Sequence, residues 1–271
     1  MPPPCVTLTT DFGAGSVYVA AVKGVLLSLN PQLSIVDLTH DIAPQNIDQA
    51  SFFLAGSVPF FPRSAIHLVV VDPEVGTNRA LLCIDLDGRI LVGPDTGFWC
   101  ELGRVLGASP RVYRIDEERL RRPGCSATFH GRDILAPAAA RLSLGHPPES
   151  MGVVASTWRG RERERAQVTE GAIQGKVLFV DRFGNLITNI TPEDLQQLRG
   201  PWLAEIGGKV IATHLRTYGE ASDGALITLI SSFNLFEIAV RNGNAELFLS
   251  CGVGSGIIVR AGSLPQPAKS Q

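Results

Sequence analysis

A short apolar run at residues 67–71 stops at Asp72-Pro73, and this stretch constrains the fold more than any other part of the chain. The run is rich in β-branched residues, which predicts a buried strand. Asp72 would then lie at the carboxyl end of a core strand, the edge at which open α/β sheets bind ligands. A turn through Gly76 returns the chain to Arg79, seven positions after Asp72. The pair predicts either a polar binding site or an ion pair that only fixes a loop.

The chain around this strand supplies further strands and helices. Cys5–Thr10 predicts a strand that ends at a second aspartate, Asp11, and Val17–Leu29 has the apolar spacing of a helix. Further strands are predicted at residues 33–38, 81–86 and 89–92, and a further helix at residues 45–58. These elements predict an α/β domain with a central, mostly parallel sheet. Asp11 is a candidate ligand-binding residue, although an aspartate there is also a common helix N-cap.

His130 stands just before an Ala-rich helix that is predicted at residues 134–144. A single histidine at a loop–helix junction usually caps or packs. The residue pattern alone therefore favours a structural role for His130.

The composition changes near Met151. Residues 156–171 are charged and predict a solvated linker. The chain then becomes β-rich, with short predicted strands that include Ala245–Leu249, and this pattern is typical of a compact antiparallel sheet or small barrel. We therefore predict three parts: an N-terminal α/β domain at residues 1–155, the linker, and a smaller, barrel-like β domain at residues 172–271.

Charge and cysteine content narrow the function classes. The net charge of −2 gives no overall attraction to nucleic acid or to an anionic membrane. No apolar run approaches the roughly 18 residues of a membrane span, and the first residues lack the pattern of a secretory signal. The five cysteines are odd in number and lack CxxC spacing, which argues against a disulfide framework and a zinc site. We expect a cytoplasmic protein without a metal or a cofactor.

Six motifs occur in order across most of the chain: TLTTDFG, VDLTHDI, VVVDPEVGTNR, LVGPDTG, TFHGRDILAPAAA and VDRFGNLITNI. Together they resemble the S-adenosylmethionine hydroxide adenosyltransferases, which are adenosine-forming S-adenosylmethionine hydrolases related to the fluorinases and chlorinases. The resemblance implies an N-terminal α/β domain, a smaller C-terminal β domain, and a homotrimer with sites between subunits.

The resemblance also implies roles for particular residues. Asp72, Arg79 and His130 match the catalytic set of the hydrolytic members, whereas fluorinases have a tyrosine at the position of Asp72. Six further positions match the substrate pocket of the family: Asp11 at the ribose hydroxyls, Phe129 and Phe183 beside the nucleoside, and Asp181, Asn185 and Ser232 at the methionine end and the base.

The implied reaction is hydrolysis of S-adenosylmethionine, as the substrate, to adenosine and L-methionine by attack of water or hydroxide at C5′. Two residues depart from the family pattern. Glu74 replaces a usual glycine and would be strained if the turn needs a positive φ, and Ser16 replaces an aspartate that helps to hold the amino-acid end. These departures leave open a non-enzymatic or very slow sensor of S-adenosylmethionine or adenosine. A halide-using transferase is the other alternative.

Overall fold

The computed structural model describes residues 3–161 and 164–262. The chain divides into two compact units, Met1–Glu162 and Arg163–Gln271. The outer ends of the two predicted domains and the centre of the predicted linker fall on residues 1–2, 263–271 and 162–163, which lie outside the described residues. Among the described helices, none is long and apolar enough to cross a membrane.

A seven-stranded sheet forms the centre of the first unit. Its strands are Cys5–Thr10 (β1), Ser34–Thr39 (β2), Ile66–Val70 (β3), Leu81–Leu86 (β4), Arg89–Pro94 (β5), Pro110–Ile115 (β6) and Gly152–Val154 (β7). The order is β2-β1-β3-β5-β4-β6-β7. The pairs β1–β2, β1–β3 and β3–β5 are parallel, and β5–β4, β4–β6 and β6–β7 are antiparallel. All strands except β4 and β7 therefore point the same way, and the predicted mostly parallel sheet is confirmed.

Helices cover both faces of this sheet. They are Val17–Leu29 (α1), Ile47–Ser57 (α2), Cys100–Leu106 (α3), Glu117–Leu120 (α4) and Ala136–Ser143 (α5), the last preceded by a π-helical turn at Gly131–Leu135. One apolar cluster joins α1 and α5 to one face of the sheet, and a second joins α2 and α3 to the other. The predicted bounds of α1 match the structure, because its apolar residues repeat over more than three turns and Ser16 caps its start by accepting from the Tyr18 N–H.

The second unit is an antiparallel, barrel-like sheet. Its strands are Gln167–Thr169 (β8), Ala172–Val180 (β9), Leu186–Thr188 (β10), Trp202–Ile206 (β11), Lys209–Ile211 (β12), Leu226–Ile230 (β13), Phe236–Val240 (β14) and Gly256–Ala261 (β15). The order is β12-β11-β15-β9-β10-β14-β13, and β8 pairs with β9. Alternate residues of these strands fill one apolar core. The barrel-like β domain predicted from sequence is confirmed, and β11 is a strand that the sequence did not indicate.

Ala245–Leu249 is a helix (α7), so the strand predicted there is wrong. Asn244 accepts a hydrogen bond from the Leu247 N–H, and Ser250 ends the helix in the left-handed conformation. Ala245 and Leu249 are the buried residues of this turn, four positions apart, which is the spacing of a helix. A second short helix, Pro192–Leu195 (α6), begins at a capping box between Thr191 and Asp194.

Candidate active site

Asp72 and Arg79 form a buried ion pair at the end of β3. Asp72 follows that strand, Gly76 turns the loop with a φ of 84°, and Arg79 precedes β4. Arg79 Nε donates to both carboxylate oxygens of Asp72 at 2.9 Å, and its Nη2 donates to Oδ2 at 2.5 Å. Only 1% of the Arg79 side chain and 8% of the Asp72 side chain are exposed. The two charges are thus held in a side-on pair with little access to bulk water.

His130 completes a contact group with this pair. Its Nδ1 lies 2.9 Å from Nη2 of Arg79. Because a guanidinium can only donate, Nδ1 must be the acceptor, and the ring is neutral with its proton on Nε2. Burial and the Arg79 charge both lower the pKa of His130. His130 therefore offers an N–H donor at neutral pH and is not a cation.

The close approach of His130 depends on a glycine. A Cβ added to Gly131 would lie 2.6 Å from Cγ1 of Val70 on β3. The π-helical turn that starts at Gly131 can therefore pack directly against the strand that ends just before Asp72. This packing brings together residues that are far apart in the sequence.

A cavity of about 440 Å³ opens in front of this group. Asp11, Asp72, Phe129 and His130 line it, so the structure brings four of the predicted residues of the first unit to one place, with Arg79 in contact behind them. The sequence did not indicate the other lining residues, which are Phe12, Tyr18, Val70, Val75, Ser126, Thr128, Gly131 and Arg132.

Aromatic rings form one wall of the cavity. The Phe129 ring lies 5.9 Å from that of Phe12 and 5.2 Å from that of Tyr18, both edge-on, and Arg132 covers Phe129 at 4.8 Å. A flat heteroaromatic ligand fits such a wall through stacking and edge contacts. Phe12 and Tyr18 were missed because a single aromatic residue beside a turn is far more often a core residue.

Asp11 is not the N-cap of α1, since Ser16 has that role. The Asp11 carboxylate accepts one hydrogen bond from the described residues, from the Gln45 N–H at 2.8 Å. It therefore keeps acceptor capacity towards the cavity. No group of three or more His, Cys, Asp or Glu side chains within residues 3–161 and 164–262 is placed to hold a metal ion.

Glu74 does not have a positive φ, so the condition under which it would be strained is not met. Gly76 takes the left-handed conformation of this loop instead. The Glu74 carboxylate forms an ion pair with Arg159 Nη1 at 2.7 Å, and this contact lowers the pKa of Glu74. The loop between Asp72 and Arg79 is thus joined to the segment that follows β7.

The predicted residues of the second unit lie in two turns. Asp181 accepts hydrogen bonds from the backbone N–H groups of Phe183 and Asn185 and from the Asn185 side chain, at 2.8 to 2.9 Å. This network fixes the turn while the Phe183 side chain is 76% exposed. Ser232 is exposed in the turn between β13 and β14. Asn185, by contrast, is buried.

Family models match both units. The N-terminal domain of S-adenosylmethionine hydroxide adenosyltransferases matches residues 6–152, and the C-terminal domain of the same family matches residues 175–258. The chain belongs to the S-adenosylmethionine hydroxide adenosyltransferase family.

Individual relatives agree with this assignment. The chain is 39% identical to a protein of Thermus thermophilus named (R)-S-adenosyl-L-methionine hydrolase, over 93% of this chain and 96% of that protein. A crystal structure of a conserved protein from Thermotoga maritima superposes with a TM-score of 0.86 at 32% identity, over 94% of this chain and 99% of the other. A fluorinase from Actinoplanes sp. is more distant, at 23% identity over 72% of this chain and 74% of the fluorinase.

Proposed function

We propose that this hydroxide adenosyltransferase hydrolyses S-adenosylmethionine to adenosine and L-methionine, in the (R) configuration that the name of its Thermus relative specifies. The observation that carries the proposal is the contact of one buried guanidinium, Arg79, with both Asp72 and His130 at the wall of a nucleoside-sized cavity. The higher identity to the hydrolase than to the fluorinase favours water over halide as the nucleophile.

Activation of water is the chemical task of these three side chains. The sulfonium leaves as a neutral thioether, so its departure needs no acid. Asp72 orients a water molecule and accepts its proton, while the Nε2–H of His130 and the Arg79 guanidinium stabilise the developing hydroxide. A C5′–O bond forms as the C5′–S bond breaks, and the proton passes from Asp72 to solvent.

In the cavity, a polar residue and an aromatic residue bind different parts of the substrate. Asp11 accepts hydrogen bonds from the ribose hydroxyls, and Phe129 lies beside the nucleoside. No metal or cofactor takes part in the proposed steps.

Residues of the second unit complete the site from another copy of the chain in a homotrimer. Asp181, Phe183, Asn185 and Ser232 then hold the base and the methionine end. The exposure of large apolar side chains supports this arrangement: Phe183 is 76%, Leu247 75% and Phe248 53% exposed. The Glu246 N–H donates to the Gly184 carbonyl at 2.9 Å, so α7 and the Phe183 turn adjoin and their exposed apolar side chains belong to one region.

The location is proposed to be a reducing one, the cytoplasm. All five cysteines, Cys5, Cys83, Cys100, Cys125 and Cys251, are free, and burial raises the pKa of the Cys83 thiol to about 12. The proposed partner is the small-molecule substrate, with neither nucleic acid nor membrane involved.

The reaction is tested by incubation in ¹⁸O-water with each sulfonium epimer of S-adenosylmethionine. We expect methionine and adenosine that carries ¹⁸O at C5′, with faster turnover of the (R) epimer. Unlabelled adenosine, or a 5′-halogenated nucleoside when halide is added, would refute hydrolysis. Binding of the substrate without any product would identify a sensor.

The assembly is tested by mixing an Asp72→Ala protein with an Asn185→Ala protein. Each trimer of one kind lacks a residue at every site, whereas mixed trimers contain some sites with both residues intact. We expect partial recovery of turnover after subunit exchange and a trimer mass by light scattering. A monomer at working concentration, or no recovery in exchanged trimers, would contradict the proposal.

A further inference from the structure

The loop that carries Asp11 and Phe12 is tied at both ends to one buried histidine, His40. At the start of the loop, Oγ1 of Thr10 lies 2.9 Å from His40 Nδ1 and accepts the Phe12 N–H at 3.3 Å. At its end, the Gly13 N–H donates to the His40 carbonyl at 2.8 Å. Asp11 and Phe12, both lining residues of the cavity, are thus held from both sides by the same residue.

On the side away from Thr10, His40 contacts Asp37, which is paired with Lys23. Its Nε2 lies 3.1 Å from Asp37 Oδ1, and Lys23 Nζ donates to Asp37 Oδ2 at 2.6 Å. His40 Nδ1 and the Thr10 hydroxyl are within hydrogen-bond distance, and the Asp37 carboxylate lies beside Nε2 on the other side of the ring. The Thr10 oxygen also accepts the Phe12 N–H. The contacts connect α1 to the cavity loop through the His40 ring.

We propose that His40 is a positioning residue that sets the direction of the Asp11 carboxylate and, through it, the affinity of the site for the ribose of a nucleoside. This rests on the proposed function, in which Asp11 binds the ribose. The Gln45 N–H supplies the one hydrogen bond to this carboxylate from the described residues. The backbone on either side of Asp11 must therefore fix its direction, and both flanking contacts lead to His40, one to its ring through Thr10 and one to its backbone carbonyl. His40 does not line the cavity and touches no reacting atom.

The chain offers a matched control in His67. His67 is fully buried, and its Nδ1 lies 2.8 Å from Oγ1 of Thr7, which is on the same strand β1 as Thr10. His40→Ala and His67→Ala each remove a buried ring that is bonded to a β1 threonine. We expect both variants to lose thermal stability. Only His40→Ala should weaken adenosine binding, by about tenfold by calorimetry, and raise KM to a similar extent while kcat stays within about twofold.

A double-mutant cycle with Asp11→Ala decides whether His40 acts through Asp11. In that background, His40→Ala should cause no further loss of adenosine affinity. Thr10→Val, which removes only the hydroxyl, should cause a smaller loss of adenosine affinity. This variant replaces His40→Ala in the test if His40→Ala does not fold. Equal adenosine affinities for the His40 and His67 variants, or a tenfold loss that persists without the Asp11 carboxylate, would overturn the proposal.

Hydrogen exchange separates this proposal from the proposed function, because it needs no ligand. The Phe12 amide should exchange faster in His40→Ala than in His67→Ala, because its acceptor, the Thr10 hydroxyl, loses the His40 ring. The Gly13 N–H bonds to the backbone carbonyl of residue 40, which alanine keeps, and is the internal reference. A wild-type protein without S-adenosylmethionine turnover would refute the hydrolase and still leave the exchange result to decide the loop restraint. If the wild type is active and Phe12 exchange in His40→Ala is unchanged, the loop restraint alone is refuted.

Discussion

At the scale of single residues, Arg79 connects the other two members of the predicted catalytic set, Asp72 and His130. It donates to Asp72 through Nε and Nη2 and to His130 through Nη2, while Nη1 is buried without a hydrogen-bond partner among the described residues. The guanidinium also compensates a carboxylate that would otherwise be buried and unpaired.

Because Asp72 is paired with Arg79, mutation of Asp72 should change both catalysis and stability, and a second mutation can separate the two effects. We expect Asp72→Asn to lower kcat by roughly 10²–10⁴, because the base is lost, and adenosine affinity to change little. The variant should also lose about 3–5 kcal/mol of unfolding free energy, because Arg79 becomes a buried, unpaired charge. Adding Arg79→Gln removes that charge and should restore much of the melting temperature without restoring kcat. If kcat recovered together with stability, the Asp72–Arg79 pair would have only a structural role.

The protonation of His130 predicts an acid limb in the pH profile. Burial and Arg79 lower its pKa, so the folded protein favours the neutral ring. The contribution of this group to stability is present above the ordinary pKa of about 6.5, and it is lost as the pH falls through the lowered value. Protonation would also abolish the acceptor for Arg79. We therefore expect kcat/KM to be constant near neutral pH and to fall with an apparent pKa below 6.5.

Two amide variants separate the functions of the two ring nitrogens. His130→Gln places an N–H near the position of Nε2, and His130→Asn places an oxygen near that of Nδ1, where it can accept from Arg79. We expect both variants to lose the acid limb of the His130 titration, and the Gln variant to be the more active by about tenfold or more. An unchanged acid limb in both would assign it to a carboxylate instead.

The sequence could pair Asp72 with Arg79 because both flank one short turn. His130 comes 51 positions after Arg79, and its contact depends on the packing of Gly131 against Val70, which no spacing rule contains. Its role was predicted through the resemblance, while the residue pattern favoured a cap. His40 was missed because a buried histidine beside a strand has no distinguishing neighbours in the sequence.

At the scale of elements, length separates a helix that was predicted correctly from one that was missed. α1 has 13 residues and a repeating apolar face, and its predicted bounds agree with the structure. α7 has five residues, Ala-Glu-Leu-Phe-Leu, and such a short run fits a strand as well as one helical turn. The Asn244 cap and the left-handed Ser250 decide the outcome, and both are contacts that form only in the fold.

In the loop between Asp72 and Arg79, the sign of the stability change caused by Glu74→Gly tests whether Glu74 is strained. If Glu74 were strained, Glu74→Gly would stabilise the protein. The structure predicts the reverse, because Glu74 lacks a positive φ and glycine adds unfolded-state entropy of roughly 0.4–1 kcal/mol. Loss of the exposed Arg159 pair adds little, because solvent screens it. We expect a slightly lower melting temperature, with kcat within about twofold, and a rise would show that strain is present.

Strand β14 contains a buried acid, Glu237, which is 3% exposed and accepts the Tyr218 hydroxyl at 2.5 Å. Burial, aided by the Asp181 charge, raises its pKa. Stability from this group is therefore complete below its ordinary pKa and is lost as the pH rises through the raised value. Glu237→Gln keeps the acceptor for Tyr218 and does not titrate.

We expect Glu237→Gln to melt above the wild type at pH 8, by about 2–4 °C for each 1 kcal/mol gained, and at nearly the same temperature at pH 4. Glu205→Gln, on strand β11 of the same sheet and 42% exposed at its side chain, is the control and should change the melting temperature little. A lower melting temperature for Glu237→Gln at pH 8 would mean that the charged form is stabilised.

At the scale of the whole molecule, the apolar region around α7 and Phe183 should decide the assembly. Leu247 is 75% exposed, so Leu247→Glu should leave the folded chain stable within about 0.5 kcal/mol. In the proposed trimer it would bury a charge, and we expect smaller species by light scattering and loss of turnover. Val210→Glu, at a 53% exposed residue of β12, should remain trimeric and active. A trimeric Leu247→Glu protein would place the interface elsewhere.

Two domains and a charged connection are predictable from the sequence, whereas the contacts of that connection are seen only in the structure. The Arg159 N–H donates to Asp95 Oδ1 at 2.9 Å, and Arg161 Nη2 donates to Asp48 Oδ2 at 2.8 Å. A run of arginines predicts solvated surface whether or not acids lie beneath it. The predicted domain limits at residues 155 and 172 remain a prediction.

The ion pair between Glu74 and Arg159 has a consequence for the divergence of the family. Selection can retain an acid at position 74 when residue 159 is a cation that pairs with it. An arginine at position 159 lacks this ion-pair partner when residue 74 is glycine. The two positions should therefore change together across relatives, an acid at 74 with Arg or Lys at 159 and a glycine at 74 with unrestricted residues at 159. Independent variation of the two positions would mean that the pair is an accident of this chain.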